Sequence, residues 1–504
     1  AVQTFRTNGT TAVTGEVGGR YPTQADASTN PGGATLNDPS NGDFTFLGGP
    51  MSGPAQSITL ITMAAANITG INFGFNFDTI VNTNDSGQGS LRQFILNSNQ
   101  LTDIPSQGIN TGKESSIFMI PDGSAYAGTA NHGTLDLSTT GLFNLAPSSA
   151  LPAVTDSYTA IDGSTQNGAR CDPITGAGRV LNIALDGSSL SGAESGLTVQ
   201  NSGYLMQGLA IGNFPEQGIY AHANADDGVI VCNHIGLNAA GTTATPNSDN
   251  GILINNTNNT QIGNGSPTGR NVISGNNSNG SVLGDTGHGV RVENNANNAT
   301  FLDNYIGLDA SGTNAIPNAA DGINVNNATN IVVGNDTVAG RNVISGNTGQ
   351  GIYALGNTVT IDIAGNYVGT DNSGLNAVGN NHGIYLNQTA GSHSIRNNVT
   401  SGQRGYGIIL YYSPNNTVTG NIAGLDKDGL NVLGNARSGL WIAKTGATSS
   451  TGNQIGGTTP AERNIFSGNG DYGVLVEDVP AGNTITGNYM GTDITGNTAA
   501  PNTL

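Results

Sequence analysis

A four-residue phrase recurs through the second half of this chain. Asn233-His234-Ile235-Gly236 returns as Asn304-Tyr305-Ile306-Gly307, Asn366-Tyr367-Val368-Gly369, Asn421-Ile422-Ala423-Gly424 and Asn488-Tyr489-Met490-Gly491. A second phrase, glycine followed by apolar residues at alternate positions, begins at Gly251, Gly322, Gly351, Gly383, Gly407, Gly439 and Gly473. Self-similarity of this kind implies a solenoid, whose units cannot bury their apolar faces alone and must stack on their neighbours.

The phrase has a physical reading. Three residues before the Asn stand Ile230, Phe301, Ile363, Val418 and Ile485; two residues after it stand Ile235, Ile306, Val368, Ala423 and Met490. Both sets suit an interior, yet they lie five residues apart, and inward positions of one continuous strand are separated by even numbers. The chain must therefore bend near the Asn, and Gly365, Gly420 and Gly487 just before it supply the backbone freedom. Stacked bends would set Asn233, Asn304, Asn366, Asn421 and Asn488 over one another as an amide ladder.

Composition agrees with an all-β solenoid. Of 504 residues 77 are Gly, and only 10% are charged, against about 25% in ordinary domains. From residue 181 to 504 the repeats predict a regular array, with room for roughly 14 coils of about 22 residues each. Residues 79–180 read as a cap and irregular first coils, where Ser90 to Asn99 carries a short helical pattern suited to covering a sheet edge. Residues 1–78 read as a separate small β-rich module or assembly segment. It holds a strand-like Asp43–Leu47 and an alternation of Phe73, Phe75 and Phe77.

The motifs resemble those of the right-handed parallel β-helix repeat proteins found among large secreted and surface proteins of bacteria. The likeness rests on the N-x-I-G-(T/L)-D-x-x-G phrase at Asn304 to Gly312, Asn366 to Gly374 and Asn488 to Gly496. It rests also on Arg270-Asn271-Val272-Ile273-Ser274-Gly275-Asn276 and its echoes at Arg341 to Asn347 and Asn464 to Asn469, and on Asn84 to Gln93, which is similar to the segment that opens such helices. The resemblance implies the fold and a bacterial secreted or cell-surface setting. It says little about activity, because the fold hosts many functions.

Charge excludes some partners. A net charge of −19 with 15 Lys plus Arg argues against nucleic acid and anionic membranes. No segment is long and apolar enough for insertion in a bilayer; Ser57 to Phe77 comes nearest and is interrupted by Asn67 and Asn72. Cys171 and Cys232, the two cysteines, are expected to form one disulfide, with two free thiols as the other reading.

Candidate chemistry is sparse. Asp226-Asp227 and Gly287-His288-Gly289 resemble the aspartate pair and Gly-His-Gly of polygalacturonase-like β-helices, but they stand 61 residues apart. In other repeats the His288 slot holds Asn250, Asp321, Gln350, His382, Tyr406, Ser438 or Tyr472, so it reads as a tolerant turn position and no catalytic residue is assigned. Asp309, Asp371, Asp426 and Asp493 each open an Asp-x-x-Gly turn; they read as turn formers, with Ca2+ at most occasional and no other cofactor. Tyr305, Tyr367 and Tyr489, with Tyr411, Tyr412 and Trp441, are candidates for stacking on a glycan.

The expected function is an extracellular structural or adhesive surface protein. A polysaccharide lyase or hydrolase and a non-catalytic glycan-binding module are the alternatives. The chain stops at Ala499 to Leu504 inside a phrase that elsewhere runs on into a strand. Either it is a piece of a longer protein, or the next molecule completes the last coil. In the latter case residues 1–14, β-prone and without an evident mate among the repeats, would make the head-to-tail contact.

Overall fold

The computed structural model describes the strands at 2–7, 12–13, 45–46, 49–50 and 73–76, and residues 78–87, 89–100, 109–120, 141–171, 178–277, 287–443, 450–479 and 481–504. Most of the described chain winds as a right-handed parallel β-helix with three sheets. Sheet 1 has ten strands, from Leu197–Val199 to Val474–Glu477. Sheet 2 has twelve, from Glu114–Ser115 to Thr484–Thr486, and sheet 3 has twelve, from Phe143–Leu145 to Tyr489–Met490. Each coil passes from sheet 1 to sheet 2, turns sharply at an Asn into sheet 3, and returns.

Register explains the repeats. In sheet 2, Ile361, Asp362 and Ile363 stand opposite Ile331, Val332 and Val333 of the coil before. Ile363 points inward and is fully buried, while Asp362 points out. The inward residues Ile230, Phe301, Ile363 and Val418 on one side of the Asn, and Ile235, Ile306, Val368 and Ala423 on the other, are all 0% exposed. Only in the last coil does the column open, with Ile485 at 39% and Met490 at 46%.

The bend is an αL residue followed by Asn. Gly365 has φ +70°, and the same conformation is taken by Cys232 and Asp303, where an L side chain tolerates it at some cost. The ladder is twice as dense as the repeats suggest. Asn233, Asn271, Asn304, Asn342, Asn366, Asn398, Asn421, Asn464 and Asn488 stack in order, each Nδ2 donating to the next Oδ1 at 2.9–3.2 Å. The five asparagines of the recurring phrase are alternate rungs. A second ladder, running from Asn247 through Asn276, Asn318, Asn347 and Asn380 to Gln403 and on to Asn435, Asn469 and Asn502, lines the return to sheet 1.

The sequence repeat is thus two coils, which corrects the expected coil number and length. Sheet 3 has twelve strands; leaving out Phe143–Leu145 puts eleven, not roughly 14, after residue 180. Neighbouring rungs are separated by as few as 23 residues and as many as 43. Alternate coils carry a hairpin after sheet 3, closed by the bridges Leu237–Ala244, Leu308–Ala315, Thr370–Ala377, Leu425–Val432 and Thr492–Ala499. The hairpins stack on one another through Ala310 N–H to Gly241 O, Asn372 N–H to Gly312 O, Lys427 N–H to Gly374 O and Ile494 N–H to Gly429 O. Insertions that stack in register cost the coil nothing in strand pairing, so they escape a count based on strand length.

The helix spans Leu91–Ser98. Ser90 caps it by accepting the Gln93 N–H at 3.2 Å, and Leu91, Phe94 and Ile95 join the apolar interior beside Ile80 and Phe118. Arg92 ties the helix to its surroundings by pairing with Asp85 at 2.7 Å and donating to Ser149 O. At the start of the chain, Val2–Thr7 is the central strand of an antiparallel sheet, between Ala12–Val13 and Phe73–Asn76. Val2–Thr7 therefore has mates within its own chain, and they come from Ala12–Val13 and the 73–76 alternation and not from the repeats. Thr45–Phe46 pairs with Gly49–Pro50, and Phe77 lies outside the described residues.

Cys171 and Cys232 form a disulfide between residues 61 apart in sequence. Cys232 sits at the corner before Asn233 and is 1% exposed, packed with Leu181 and Ala210.

Candidate functional site

In each sheet 1 strand the residues flanking the outward position face the interior. Register places Tyr220, Leu253, Arg291, Asn324, Tyr353, Tyr385, Ile409, Trp441 and Leu475 in one outward column. A second outward column contains Asn387, Tyr411 and Ala443. Toward the carboxyl end these columns and the turn before the sheet fuse into one aromatic surface. Tyr353 and Tyr385 lie 5.1 Å apart, Tyr385 and Tyr411 6.4 Å, and Tyr411 and Trp441 6.1 Å. Tyr406 stacks on Trp441 at 4.9 Å and 20°, His382 lies 5.5 Å from Tyr406, and Tyr412 meets Tyr411 edge-on at 4.4 Å. All seven rings are half-buried, so each keeps part of its surface open to solvent.

The surface is uncharged at its centre. Burial, then the neighbouring Tyr353 and Tyr411, push the Tyr385 hydroxyl up to about 12. Burial lowers the affinity of His382 for a proton, and its Nδ1 accepts the Tyr406 N–H at 3.1 Å. Asn387 Nδ2 donates to the Tyr353 hydroxyl at 2.7 Å, and Trp441 Nε1 donates to Glu477 at 3.1 Å. These bonds hold ring planes on rigid strands, the condition for a preorganised binding face.

The structure brings together Tyr411, Tyr412 and Trp441 but not Tyr305, Tyr367 and Tyr489. The latter three project from sheet 3, where Arg270, Arg341 and Arg463 lie over their rings at 4.1, 4.1 and 4.0 Å. The hairpin closes the other side: a Cβ on Gly312 would stand 2.5 Å from the Tyr305 ring. Tyr305 and Tyr367 are 5% and 6% exposed, so they are packing residues beneath the hairpins and not a glycan platform. Sequence reasoning missed Tyr353, His382, Tyr385 and Tyr406. For Tyr353 and Tyr385 the signal was the position inside the glycine-apolar phrase, as in Gly351-Ile352-Tyr353-Ala354, which marks an outward column of one sheet; His382 and Tyr406 stand directly before the glycine of that phrase.

His288 and Asp227 belong to different corners, before sheet 1 and before sheet 2 respectively. Asp227 accepts from Asn259 Nδ2 at 2.8 Å. His288 Nδ1 accepts the Asp321 N–H at 3.1 Å, just as Asn250 accepts the His288 N–H and Asp321 accepts the Gln350 N–H. At Asn250, His288, Asp321, His382 and Ser438 the side chain in this slot accepts a backbone hydrogen bond from the following coil, while Gln350, Tyr406 and Tyr472 fill the same slot.

The Asp-x-x-Gly residues close the hairpins on themselves. Asp371 accepts from Ser373 Oγ at 2.7 Å, from the Leu375 and Asn376 N–H groups, and from Asn376 Nδ2 at 2.7 Å. Burial alone would raise this carboxyl, yet these bonds outweigh it and hold it below the usual range; Asp309 and Asp426 behave alike. Asp493 is lowered to about 2, chiefly by the Thr495 hydroxyl. Depressed carboxyls contribute stability that is complete above their unfolded value and lost as pH falls through the folded one. Hairpin amides are accordingly expected to lose hydrogen-exchange protection as pH drops from 3.8 to about 2, while interior strand amides keep theirs. Hairpin protection factors unchanged across that interval would contradict this role.

Among the described residues no group of three or more His, Cys, Asp or Glu is placed to hold a metal ion, and no helix is long and apolar enough to cross a membrane. The disulfide is that of an extracytoplasmic chain. Residues 310–502 match the family model described as periplasmic copper-binding protein (NosD). Among solved structures the chain is similar to the Dettilon tailspike protein, at 18% identity over 69% of this chain and 60% of that one, with a TM-score of 0.45. The chain thus spans about three fifths of the tailspike's length. It is also similar to the periplasmic alginate epimerase AlgG, at 13% identity over 67% and 69% of the two chains and a TM-score of 0.32. Pectate lyase Pel9A follows at 12%, over 84% and 80%, with a TM-score of 0.31. Likenesses at these identities concern the fold alone.

Proposed function

We propose that this chain is a non-catalytic structural and adhesive protein, bacterial and secreted or held at the cell surface, that lays a polysaccharide along the aromatic face of sheet 1. The observation that carries the reading is the continuous set Tyr353, Tyr385, Tyr406, Tyr411 and Trp441, spread over four successive coils. A pyranose ring has an apolar face that stacks on an aromatic ring, with its hydroxyls left for rim donors and acceptors such as Asn387 and Glu477. Tyr385 and Trp441 are two strands apart in their column. That is about 9.6 Å at ordinary strand spacing, near the length of one disaccharide unit in an extended chain. Among the described residues copper, named for the matching family, finds no group of three or more His, Cys, Asp or Glu placed to hold it. Both cysteines are in the disulfide, and His288 and His393 spend ring nitrogens on backbone N–H groups.

The test is retention of the purified chain by soluble polysaccharides in affinity electrophoresis, with a reducing-end assay on the same mixtures. Tyr385→Ala and Trp441→Ala are each expected to weaken retention about tenfold without lowering thermal stability much, because both side chains face outward. Reducing ends released by the chain would remove the non-catalytic reading; retention by no polysaccharide would remove the adhesive one. The same scaffold is proposed to associate end to end. A stack of coils carries unpaired backbone groups on its terminal strands, and such edges template another chain. A constant monomer mass in sedimentation across a wide concentration range would exclude it.

A further inference from the structure

We infer that the aromatic face selects a glycan free of carboxylate and sulfate groups, a deepening that rests on the polysaccharide reading above. The argument is the sign and pairing of the charges around the rings. Glu477 stands at the edge of Trp441, accepting its indole N–H at 3.1 Å, and is exposed. Arg437, near Tyr406, faces Asp471 at 3.4 Å, so it brings its own counter-charge. Farther along the same outward column the next cation, Arg291, is held by Glu293 at 2.8 Å. Beyond it the turn before sheet 1 carries Glu194, Glu216 and Asp249 in three successive coils. His382, within the ring cluster, supplies no cation, since its Nδ1 is engaged by the Tyr406 N–H.

Recognition of a uronic-acid or sulfated polymer needs cations at regular intervals, with arginine forks the best match to carboxylate. Here each arginine named is already matched by an acid, while Glu477, which pairs with no cation among the described residues, adds a negative charge beside the largest ring. The net charge of −19 points the same way. A polyanion lying on the face would carry many carboxylates within a Debye length of these acids, about 8–10 Å at ordinary salt. A neutral chain of hexoses or N-acetylhexosamines meets only ring faces, hydroxyls and amides. Shape and stacking would thus hold either class of glycan, and electrostatics decides between them.

Affinity electrophoresis of the full chain against mixed-linkage glucan, xyloglucan, galactomannan and soluble chitin oligomers, beside alginate and polygalacturonate, tests this. Retention by one or more neutral glycans is expected to exceed that by either polyuronate at least tenfold at low ionic strength, and the gap should narrow in high salt. The variant Asp471→Asn removes the counter-charge of Arg437 and should raise polyuronate retention severalfold, with neutral retention little changed. Alginate or polygalacturonate bound as tightly as any neutral glycan, and released by Trp441→Ala, would overturn the selectivity while leaving the polysaccharide reading intact. Retention by nothing in the set, charged or neutral, would overturn the polysaccharide reading itself and this inference with it.

Discussion

An aspartate at position 363 is expected to open the coil that carries it and to leave distant coils wound. Ile363 is fully buried, and its neighbours in the inward column of sheet 2, Val333 before it and Ile395 after it, are also 0% exposed. A carboxylate there would have no partner within the apolar interior, and burying it costs several kcal/mol even if it protonates. A compact domain would share that penalty across one cooperative core. A solenoid confines it, because each coil contacts only those above and below. Ile363→Asp should therefore create a protease-sensitive site near residues 330–400, with protection retained around residues 200–260. Wild-type melting and protease resistance in this variant would show that the inward assignment of the column is mistaken.

Asn366→Leu should be comparably damaging although it adds apolar volume. The Asn366 amide donates to Val333 O at 2.8 Å and to Asn398 Oδ1 at 3.0 Å, and its oxygen accepts the Asn342 N–H at 3.2 Å and Asn342 Nδ2 at 2.9 Å. Leucine removes all of these from a residue that is 0% exposed. Each buried donor or acceptor left unpaired costs roughly 1–3 kcal/mol, so losses of about 4 kcal/mol or more are expected. Asn366→Asp should not rescue the ladder, since its carboxylate has no proton to give Asn398 Oδ1. Denaturant unfolding followed by hydrogen exchange would check both variants. A loss below about 1 kcal/mol for Asn366→Leu would mean that the ladder is ornamental.

The inward columns, the corner asparagines and the capping helix were legible because each depends on residues close in sequence. Ser90 three residues before Gln93, and the five-residue step from Ile363 to Val368, are local statements that short-range sterics and strand alternation enforce. The ladder was half legible. Asn271, Asn342 and Asn464 stand in the recurring Asn-(Val/Ile)-(Ile/Phe)-Ser-Gly-Asn phrase, yet nothing local says that this phrase and Asn-Tyr-Ile-Gly occupy the same corner in alternate coils.

By itself, then, the sequence determined that this chain coils, which side chains fill the interior, and where the chain bends. The tertiary structure alone decided which outward residues meet. Residues stacked in adjacent coils are separated by anything from 23 to 43 positions, because hairpins enter some coils and not others, so lateral neighbours cannot be counted along the chain. For the same reason Tyr367 and Tyr385, similar in residue type and only 18 positions apart in sequence, have opposite fates. A hairpin and Arg341 cover the first, while the second opens onto a face shared with Trp441. Strand alternation is a property of a few consecutive bonds, whereas exposure on a solenoid is set by what the neighbouring coils carry.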